Sequence, residues 1–401
     1  MTHPLTLLCI TSFHKGFEFL REAKRQGCKV ILLTSKSLEN AEWPKESIDD
    51  IYYIPDVDKE WNMTDVINGV SFMARTVHFD KIVALDDYDV EKAAALREHL
   101  RFTGMGDTTA RHFRDKLAMR TKASHVGIPV PPFVHVLNYD KIRAFMASVS
   151  PPYVLKPRLQ AGAIGIKKIH HEQELWDALD ILGEKQSFYV LEKFVAGDIY
   201  HVDSIIYKKE IVFSIVCKYG RPPMEVAHEG RVFSSRTVLR DSPDDDALKA
   251  MNRLMLQSLG LVEGVSHTEF IKGDTDGKFY FLETSARVGG AHISDLIEMA
   301  TGLNLWTEWA KIECSSDEEY KVNQLCNDYA GLMISLAKQE RPDLSAYNDP
   351  EVVWRMNKKH HAGLIFRSPK QERVEDLLQS YTERFYQDFF TSAPLPEKAM
   401  E

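Results

Sequence analysis

Residues 264–290 read GVSHTEFIKGDTDGKFYFLETSARVGG and place two acids in apolar runs on either side of a glycine-containing turn. Two strands joined by that turn would bring Glu269 and Glu283 side by side, with Ser285 and Arg287 on the face of Glu283, because strand side chains repeat every two residues. Neighbouring carboxylates repel each other unless a cation lies between them. Mg²⁺ is bound by one or two carboxylates together with substrate phosphates. The segment therefore predicts a Mg²⁺–nucleotide site, with a solvated face of an exposed hairpin as the alternative.

The composition is typical of a globular protein with more than one domain. The chain has 401 residues, is 44% hydrophobic and carries a formal net charge of −9, which argues against nucleic acid as a partner. We expect no membrane partner and no secretion signal, because no apolar run approaches roughly 20 residues and the first residues lack a basic region and a cleavage site. The five cysteines are scattered and form no C-x-x-C pair. This pattern indicates a reducing, cytoplasmic location, without a disulfide framework or a zinc site.

Strand and helix signals alternate over roughly the first hundred residues. An apolar run at 5–11 is followed by helical spacing at 17–26 and by further apolar runs. This βαβ rhythm predicts a parallel sheet with helices on its faces, and no dinucleotide-binding G-x-G-x-x-G motif follows the first run. Asp86, Asp87 and Asp89 come after a later predicted strand, where ligands often bind. Capping of the next helix is the favoured role for these acids.

Two further segments have features of a nucleotide site. The loop LQAGAIGI at 159–166 follows a strand with Lys156, so backbone N–H groups and a fixed positive charge could surround phosphates; a flexible hairpin turn is the alternative. The segment LEKFVAGD at 191–198 leaves a predicted strand. Its backbone could pair with adenine, while Glu192 takes the amino group and Asp198 the ribose hydroxyls. Taken alone, an edge strand and a turn acid are favoured there.

Together these motifs resemble the ATP-grasp superfamily over roughly residues 108–312. The matching order is Lys116 on a charged helix, Lys156 in VLKPR, the small-residue loop, Glu192 in LEKFVAGD, Glu269 in HTEF, and Glu283-x-Ser285-x-Arg287. The segment ETSARVGGAHISDLIEMATGLNLW is similar to the L-amino acid ligase and carnosine-synthase-like branch of carboxylate–amine ligases.

The resemblance implies a mixed α/β and α+β fold. Its parts would be an N-terminal parallel-sheet pre-ATP-grasp domain at 1–107, an ATP-grasp small lobe with the flap loop at 108–195, a large lobe with the metal site at 196–319, and a C-terminal α+β subdomain at 320–401. Residues 218–246 are polar and contain two prolines in succession, and such a long irregular connection is typical of a functional loop or lid.

The resemblance also implies a role for each matched residue. Those that would bind the nucleotide are Lys116, Lys156, Gly162, Ala163, Ile164, Gly165, Glu192, Lys193, Phe194, Val195, Asp198 and His201. Those that would bind one or two Mg²⁺ ions, or Mn²⁺ instead, are Glu269, Glu283 and Ser285. Those that would bind substrate are Arg287, Gly289, Gly290, His228 and Arg231. Lys156 and Arg287 would also be catalytic.

Some of these roles have alternatives. His201 could equally be a strand histidine with a structural hydrogen bond. Arg287 could clamp an amino-acid carboxylate rather than a phosphate, and the basic residues of 218–246 could be a solvated loop. Where many members carry asparagine the chain has Ser285, a weaker oxygen ligand. Ala163 and Ile164 replace common flap serines, so that only backbone donors are left.

The implied function is that of an ATP-dependent carboxylate–amine ligase with an acyl-phosphate mechanism. Its cofactors would be ATP and Mg²⁺, and its partners small-molecule carboxylate and amine substrates. A bicarbonate-activating enzyme similar to biotin carboxylase and a non-catalytic ATP-binding protein are the alternatives. The aromatic C-terminal helix predicted at 374–390 could form a homodimer interface, although packing on its own domain is favoured.

Overall fold

The computed structural model describes residues 4–162, 164–315, 320–323 and 326–392, except for the side chains of residues 227–229. Sheets of four, four and eight strands carry the fold of this part of the chain. The first is parallel and the other two are antiparallel, which confirms the predicted mixed fold class. No helix among the described residues is long and apolar enough to cross a membrane.

The first sheet is covered by helices on both faces. Its elements are β1 (Thr6–Thr11), α1 (Phe17–Arg25), β2 (Lys29–Ser35), β3 (Asp50–Ile54), β4 (Asp56–Val57), β5 (Glu60–Trp61), α2 (Met63–Met73), β6 (Lys81–Ala84) and α3 (Val90–Leu100). The strand order is β3-β2-β1-β6. Leu7 and Cys9 pack with α1, while Leu8 and Ile10 pack with α2 and α3, because successive strand residues point to opposite faces. The predicted βαβ arrangement is confirmed.

The second sheet forms a small lobe. The elements of this region are α4 (Asp107–Arg111), α5 (Lys116–His125), β7 (Phe133–His135), α6 (Tyr139–Ser148), β8 (Tyr153–Pro157), β9 (Lys167–Ile169), α7 (Glu172–Leu182) and β10 (Tyr189–Lys193). The strand order is β7-β10-β8-β9. Buried residues of α6 and α7 form one core with this sheet, so that β8 and β10 are held with their polar residues towards the rest of the molecule.

The third sheet joins the large lobe and the C-terminal region. The elements are β11 (Gly197–Tyr207), β12 (Glu210–Tyr219), α8 (Pro223–Glu229), β13 (Phe233–Thr237), α9 (Pro243–Leu259), β14 (Gly264–Gly273), β15 (Phe279–Ser285), α10 (Ile293–Thr301), α11 (Leu305–Cys314), β16 (Tyr329–Leu336), β17 (Val352–Arg355), β18 (His361–Ser368) and α12 (Gln371–Asp388). The strand order is β15-β14-β11-β12-β13-β16-β18-β17. The strands predicted for a separate subdomain at 320–401 therefore extend the sheet of the large lobe. The four domain boundaries themselves stay a prediction.

Residues 218–246 differ from the sequence expectation. This segment contains α8 and β13, and β13 pairs with both β12 and β16 in the middle of the large sheet. It is therefore an ordered part of the fold rather than a long irregular loop. The two consecutive prolines lie at the N-terminus of α8, where a missing backbone N–H group is tolerated.

The predicted hairpin at 264–290 is formed by β14 and β15. Glu269 lies opposite Glu283, and His267 lies opposite Ser285. The register shifts just after the acid pair, between Glu269 and Phe270. The prediction that the two acids are cross-strand neighbours is thus confirmed.

Helix α12 packs against the large sheet through its aromatic residues. Tyr381, Phe385 and Phe389 are buried in one core with β16 and β18. This agrees with the expectation that the helix packs on its own domain, and a homodimer stays a prediction that a single chain does not test.

The buried position of Phe385 leads to a stability prediction. Phe385→Ala is expected to lower the free energy of unfolding by about 3–5 kcal/mol, because a fully buried ring is lost and a cavity remains. Chemical denaturation measures the change. Phe188 is 59% exposed, so Phe188→Ala is the control and should shift stability by about 0.5 kcal/mol or less. Equal effects of the two substitutions would contradict the packing of α12 described above.

Candidate active site

Two adjoining cavities lie where the small lobe faces the hairpin of β14 and β15. The larger has a volume of about 390 Å³ and the smaller about 180 Å³. Both are lined by Lys116, Gly162, Pro223, Glu269 and Glu283. The acid pair therefore lies at the boundary between the two cavities.

The larger cavity is lined by most of the residues predicted to bind the nucleotide. These are Lys116, Lys156, Gly162, Glu192, Lys193, Phe194, Val195 and Asp198. Its volume lies within the roughly 300–1,000 Å³ typical of ligand pockets. Residues of α8, which the sequence analysis did not predict, close another side: Pro223, Met224 and Glu225. Ile164, Gly165 and His201 are not among the residues that line it, and Ala163 lies outside the described residues.

Glu192, Arg120 and Lys156 form a buried cluster of charged side chains beside the larger cavity. Glu192 Oε1 lies 2.9 Å from Arg120 Nε, and Glu192 Oε2 lies 2.8 Å from Lys156 Nζ. Burial would raise the pKa of Glu192, but Arg120 and Lys156 hold it below its usual value. Each carboxylate oxygen is thus already paired with a cation, and the bond between the Glu192 carboxylate and an adenine amino group stays a prediction.

Arg120 is a residue that the motif search missed. It is fully buried and lies four residues after Lys116 on α5, which places both side chains on one face of the helix. That spacing was the available signal, but its partner Glu192 comes from a distant strand. Burial and the nearby charge of Arg120 lower the pKa of Lys156 to about 8.

The small-residue loop is anchored at its N-terminal end. Lys116 Nζ donates to the carbonyl oxygen of Gln160 at 2.6 Å, and the N–H group of Ala161 donates to the Tyr88 hydroxyl at 3.3 Å. Gly165 has a φ of +70°, and a Cβ atom there would lie 2.9 Å from Pro157. A side chain at Gly165 would therefore be strained and would collide with the preceding strand.

The two hairpin acids have different neighbours. Lys116 Nζ lies 2.9 Å from Glu283 Oε2, and although burial acts in the other direction, Lys116 and Lys156 lower the pKa of Glu283 to about 2. Glu269 Oε1 accepts a hydrogen bond of 2.9 Å from the Tyr219 hydroxyl. Ser285 is buried and lines only the smaller cavity. The pair offers carboxylate oxygens to both cavities, a donor set that suits Mg²⁺.

A chain of buried polar groups extends from the acid pair into the large sheet. Asp203 Oδ1 lies 2.9 Å from His267 Nδ1 and Asp203 Oδ2 lies 2.6 Å from His201 Nδ1. His201 Nε2 lies 2.7 Å from Ser235 Oγ. His201 is therefore held inside the sheet by two hydrogen bonds, as in its structural alternative, rather than in contact with either cavity.

His267 is the member of this chain that lines the smaller cavity. Its Nε2 atom lies 3.6 Å from Glu269 Oε1. Burial would lower the pKa of His267, but the adjacent Asp203 carboxylate outweighs it and raises the pKa to about 9. The motif HTEF contained the signal for this residue, because a histidine two positions before Glu269 shares its strand face.

Some of the residues predicted to bind substrate line the smaller cavity, and others do not. Arg287 and Gly290 line the smaller cavity. A Cβ atom on Gly289 would lie 3.0 Å from His267 Nδ1 and 3.1 Å from Asp203 Oδ1, so glycine there allows the backbone to approach the buried pair. Arg231 is not among the residues that line either cavity. The side chain of His228 lies outside the described residues.

The three acids that follow β6, namely Asp86, Asp87 and Asp89, make different contacts. Asp86 accepts a hydrogen bond from the backbone N–H group of Tyr88 at 2.8 Å, and Asp89 accepts one from that of Ser12 at 2.7 Å. Asp86 therefore caps the turn that follows it, as the sequence analysis favoured, whereas Asp89 makes no side-chain cap to α3 and binds the segment after β1. Asp87 instead lines the smaller cavity, so the N-terminal domain contributes directly to the site.

The Asp203–His267 contact gives a prediction for the metal-free protein. Asp203→Asn is expected to lower the pKa of His267 from about 9, because the largest contribution that opposes burial is then lost and only that of Glu269 remains. Imidazole NMR titration measures the shift. Asp241→Asn, at an exposed position, is the control. A His267 pKa that stays near 9 in the Asp203 variant would rule out this origin of the shift.

Known proteins resemble this chain in sequence and in structure. No family model matches the chain. The L-arginine-specific L-amino acid ligase of Bacillus subtilis is 27% identical over 286 residues, which are 69% of this chain and 67% of that ligase. The D-alanine–D-alanine ligase of Neisseria gonorrhoeae is 24% identical over 195 residues, which are 47% of this chain and 62% of that enzyme. The matches thus span about two thirds of these relatives.

A solved structure matches nearly the whole chain. The crystal structure of L-amino acid ligase from Bacillus licheniformis has a TM-score of 0.75 at 17% identity, and the match covers 98% of this chain and 100% of that one. At this identity the likeness shows the fold, while the sequence relatives are ligases. The chain thus shares its fold with an L-amino acid ligase, and it is similar in sequence to an L-amino acid ligase and to a D-alanine–D-alanine ligase.

Proposed function

We propose that the protein is an ATP-dependent ligase that joins an amino acid or similar small carboxylate to an amine. The observation that carries this proposal is the acid pair Glu269 and Glu283, which lines both a nucleotide-sized cavity and a smaller adjoining one. A γ-phosphate in the first and a carboxylate in the second would meet beside these two acids.

The reaction requires two anions to approach each other. At about 4 Å, two unit charges repel by roughly 4 kcal/mol at an effective dielectric constant of 20. Lys116 and Lys156 line the larger cavity and Arg287 lines the smaller one, so positive side chains face the meeting point from both sides. Glu269 and Glu283 would hold Mg²⁺, or Mn²⁺ instead, and the ion would supply further positive charge to the phosphates.

Ligation would proceed in two steps. A carboxylate oxygen of one substrate attacks the γ-phosphorus of ATP, the bond from that phosphorus to the β,γ-bridging oxygen breaks, and ADP leaves. The amine nitrogen of the second substrate then attacks the acyl carbon, the bond from this carbon to the phosphate oxygen breaks, and inorganic phosphate leaves as the nitrogen loses a proton. Lys116 and Lys156 would orient the phosphates, and Arg287 would hold the acyl-phosphate.

The test is phosphate release from Mg-ATP across pairs of amino acids, single amino acids and bicarbonate. Release that depends on an amino acid or a pair is the expected result. Release with bicarbonate alone would move the assignment to a carboxylase similar to biotin carboxylase. ATP binding without release across the whole array would favour a nucleotide-binding protein without catalysis.

Glu283→Gln is expected to reduce ADP release by about 100-fold or more, because a charged ligand is lost where charge develops during transfer. ADP release by the purified variant, with circular dichroism to verify folding, measures this. Glu184→Gln is the control, since Glu184 is exposed on the small lobe. Turnover of a folded Glu283 variant at the wild-type rate would overturn the assignment of the acid pair.

The lowered pKa of Lys156 predicts a pH dependence of ATP binding. Below about pH 8 the Nζ atom is protonated and can pair with phosphate, and above it the charge is lost. ATP affinity is therefore expected to fall as the pH rises through about 8, by roughly tenfold or more if one charge-assisted hydrogen bond is lost. Isothermal titration calorimetry from pH 6.5 to 9.5 measures the trend.

Lys156→Arg is the matched control for this experiment. An arginine stays charged beyond about pH 12, so the variant should lack the break near pH 8 even if its affinity is lower overall. A break of the same size in both proteins would assign the pH dependence to another group.

A further inference from the structure

We propose that Asp87 binds the α-ammonium group of the substrate whose carboxylate is activated, which makes that substrate an α-amino acid. This inference rests on the ligase function proposed above. It assigns a binding role to the N-terminal domain, since Asp87 follows β6 and lies outside the residues matched to the superfamily motifs.

One carboxylate oxygen of Asp87 has no hydrogen-bond donor among the described residues. Only 6% of the residue is exposed, and its Oδ2 atom accepts a hydrogen bond of 2.7 Å from Arg114 Nη1. Its buried Oδ1 atom has no hydrogen-bond partner among the described residues. Buried carboxylate oxygens are rarely left without a donor, so a ligand that brings N–H groups to this corner of the cavity would be stabilised.

Opposite charges are placed around the smaller cavity. Arg287 can take an anionic group, and Asp87 can take a cationic one. Each of the three acids of the cavity has one oxygen engaged by a neighbour. Glu269 and Glu283 are those proposed to hold the metal ion, which leaves Asp87 for an ammonium group. The volume of about 180 Å³ is below the roughly 300–1,000 Å³ of pockets for drug-sized ligands. A small zwitterion fits these charges and this volume.

The position of Asp87 is held by its neighbours. The Arg114 guanidinium lies over the Tyr88 ring, 4.8 Å from its centroid, and its Nη2 atom donates to the carbonyl oxygen of Leu159 at 2.7 Å. Asp87 is therefore tied to the base of the small-residue loop through Arg114, which restricts the orientations of its carboxylate and lowers the cost of binding.

The site also separates the two substrates chemically. An ammonium group held by a carboxylate is kept protonated, and a protonated nitrogen has no lone pair with which to attack an acyl carbon. The amino acid bound at Asp87 would thus act only as the carboxylate donor. The attacking amine must come from a second molecule that does not contact Asp87.

The experiment uses hydroxylamine as the amine, because it attacks the acyl-phosphate and leaves a hydroxamate that is measured directly. Each L-amino acid is compared with the carboxylic acid of the same side chain that lacks the α-amino group. The wild-type protein should prefer the amino acid, and Asp87→Asn should reduce the ratio of the two kcat/KM values by about 10–100-fold, as expected when a site built for a charged hydrogen bond loses it.

Two further variants complete the test. Asp140→Asn, whose side chain is 92% exposed, should keep the wild-type ratio. Asp87→Glu keeps the charge and should retain a preference for the amino acid even if kcat/KM falls, which separates loss of recognition from damage to the fold. An unchanged ratio in Asp87→Asn, or no preference in the wild-type protein, would overturn the role of Asp87. No ADP release with any carboxylate would instead contradict the ligase function.

Discussion

The site depends on one constraint, the placement of two carboxylates opposite each other on a buried hairpin. The pairing of Glu269 with Glu283 is costly unless positive charge lies nearby. Lys116 meets this requirement for Glu283 from the first turn of α5, and Tyr219 donates to Glu269 from the end of β12. The hairpin thus fixes where α5 and β12 must lie, and through them how the small lobe faces the large sheet.

The small lobe likewise contributes a buried carboxylate that is paired with positive side chains. Burying Glu192, Arg120 and Lys156 together is expensive, and such clusters are often no more stabilising than an apolar core. Their arrangement has a consequence for function, however. Arg120 takes one oxygen of Glu192, and Lys156 is left beside the larger cavity with a lowered pKa. Lys156 is thus held in place by Glu192 beside the larger cavity, which would favour preorganised binding of a phosphate there.

The sequence predicted those parts of the site that depend on local periodicity. The period of two in residues 264–290 was sufficient to pair Glu269 with Glu283, and alternating apolar runs predicted the parallel sheet. Contacts between segments far apart in the chain were not accessible in this way. Arg120 pairs with Glu192 and Asp203 contacts His267, in each case on a different element, and no spacing rule predicts these two contacts. From the sequence alone, these polar side chains could equally have been exposed to solvent. Only the fold shows that they are buried.

Ser285, Ala163 and Ile164 depart from the pattern of the superfamily that the motifs resemble. Ser285 offers only a neutral oxygen, but it lies beside Glu283 and opposite His267, whose raised pKa adds positive charge to the same face. Ala163 and Ile164 remove hydroxyl donors from the flap, yet Lys116 still contacts the loop through Gln160. Positive charge near the acid pair is therefore supplied by side chains of the lobes rather than by the flap. This arrangement favours a working ligase over a nucleotide-binding protein that has lost catalysis, because a binding-only site would have no need to place Arg287 and His267 around a second cavity next to the acid pair.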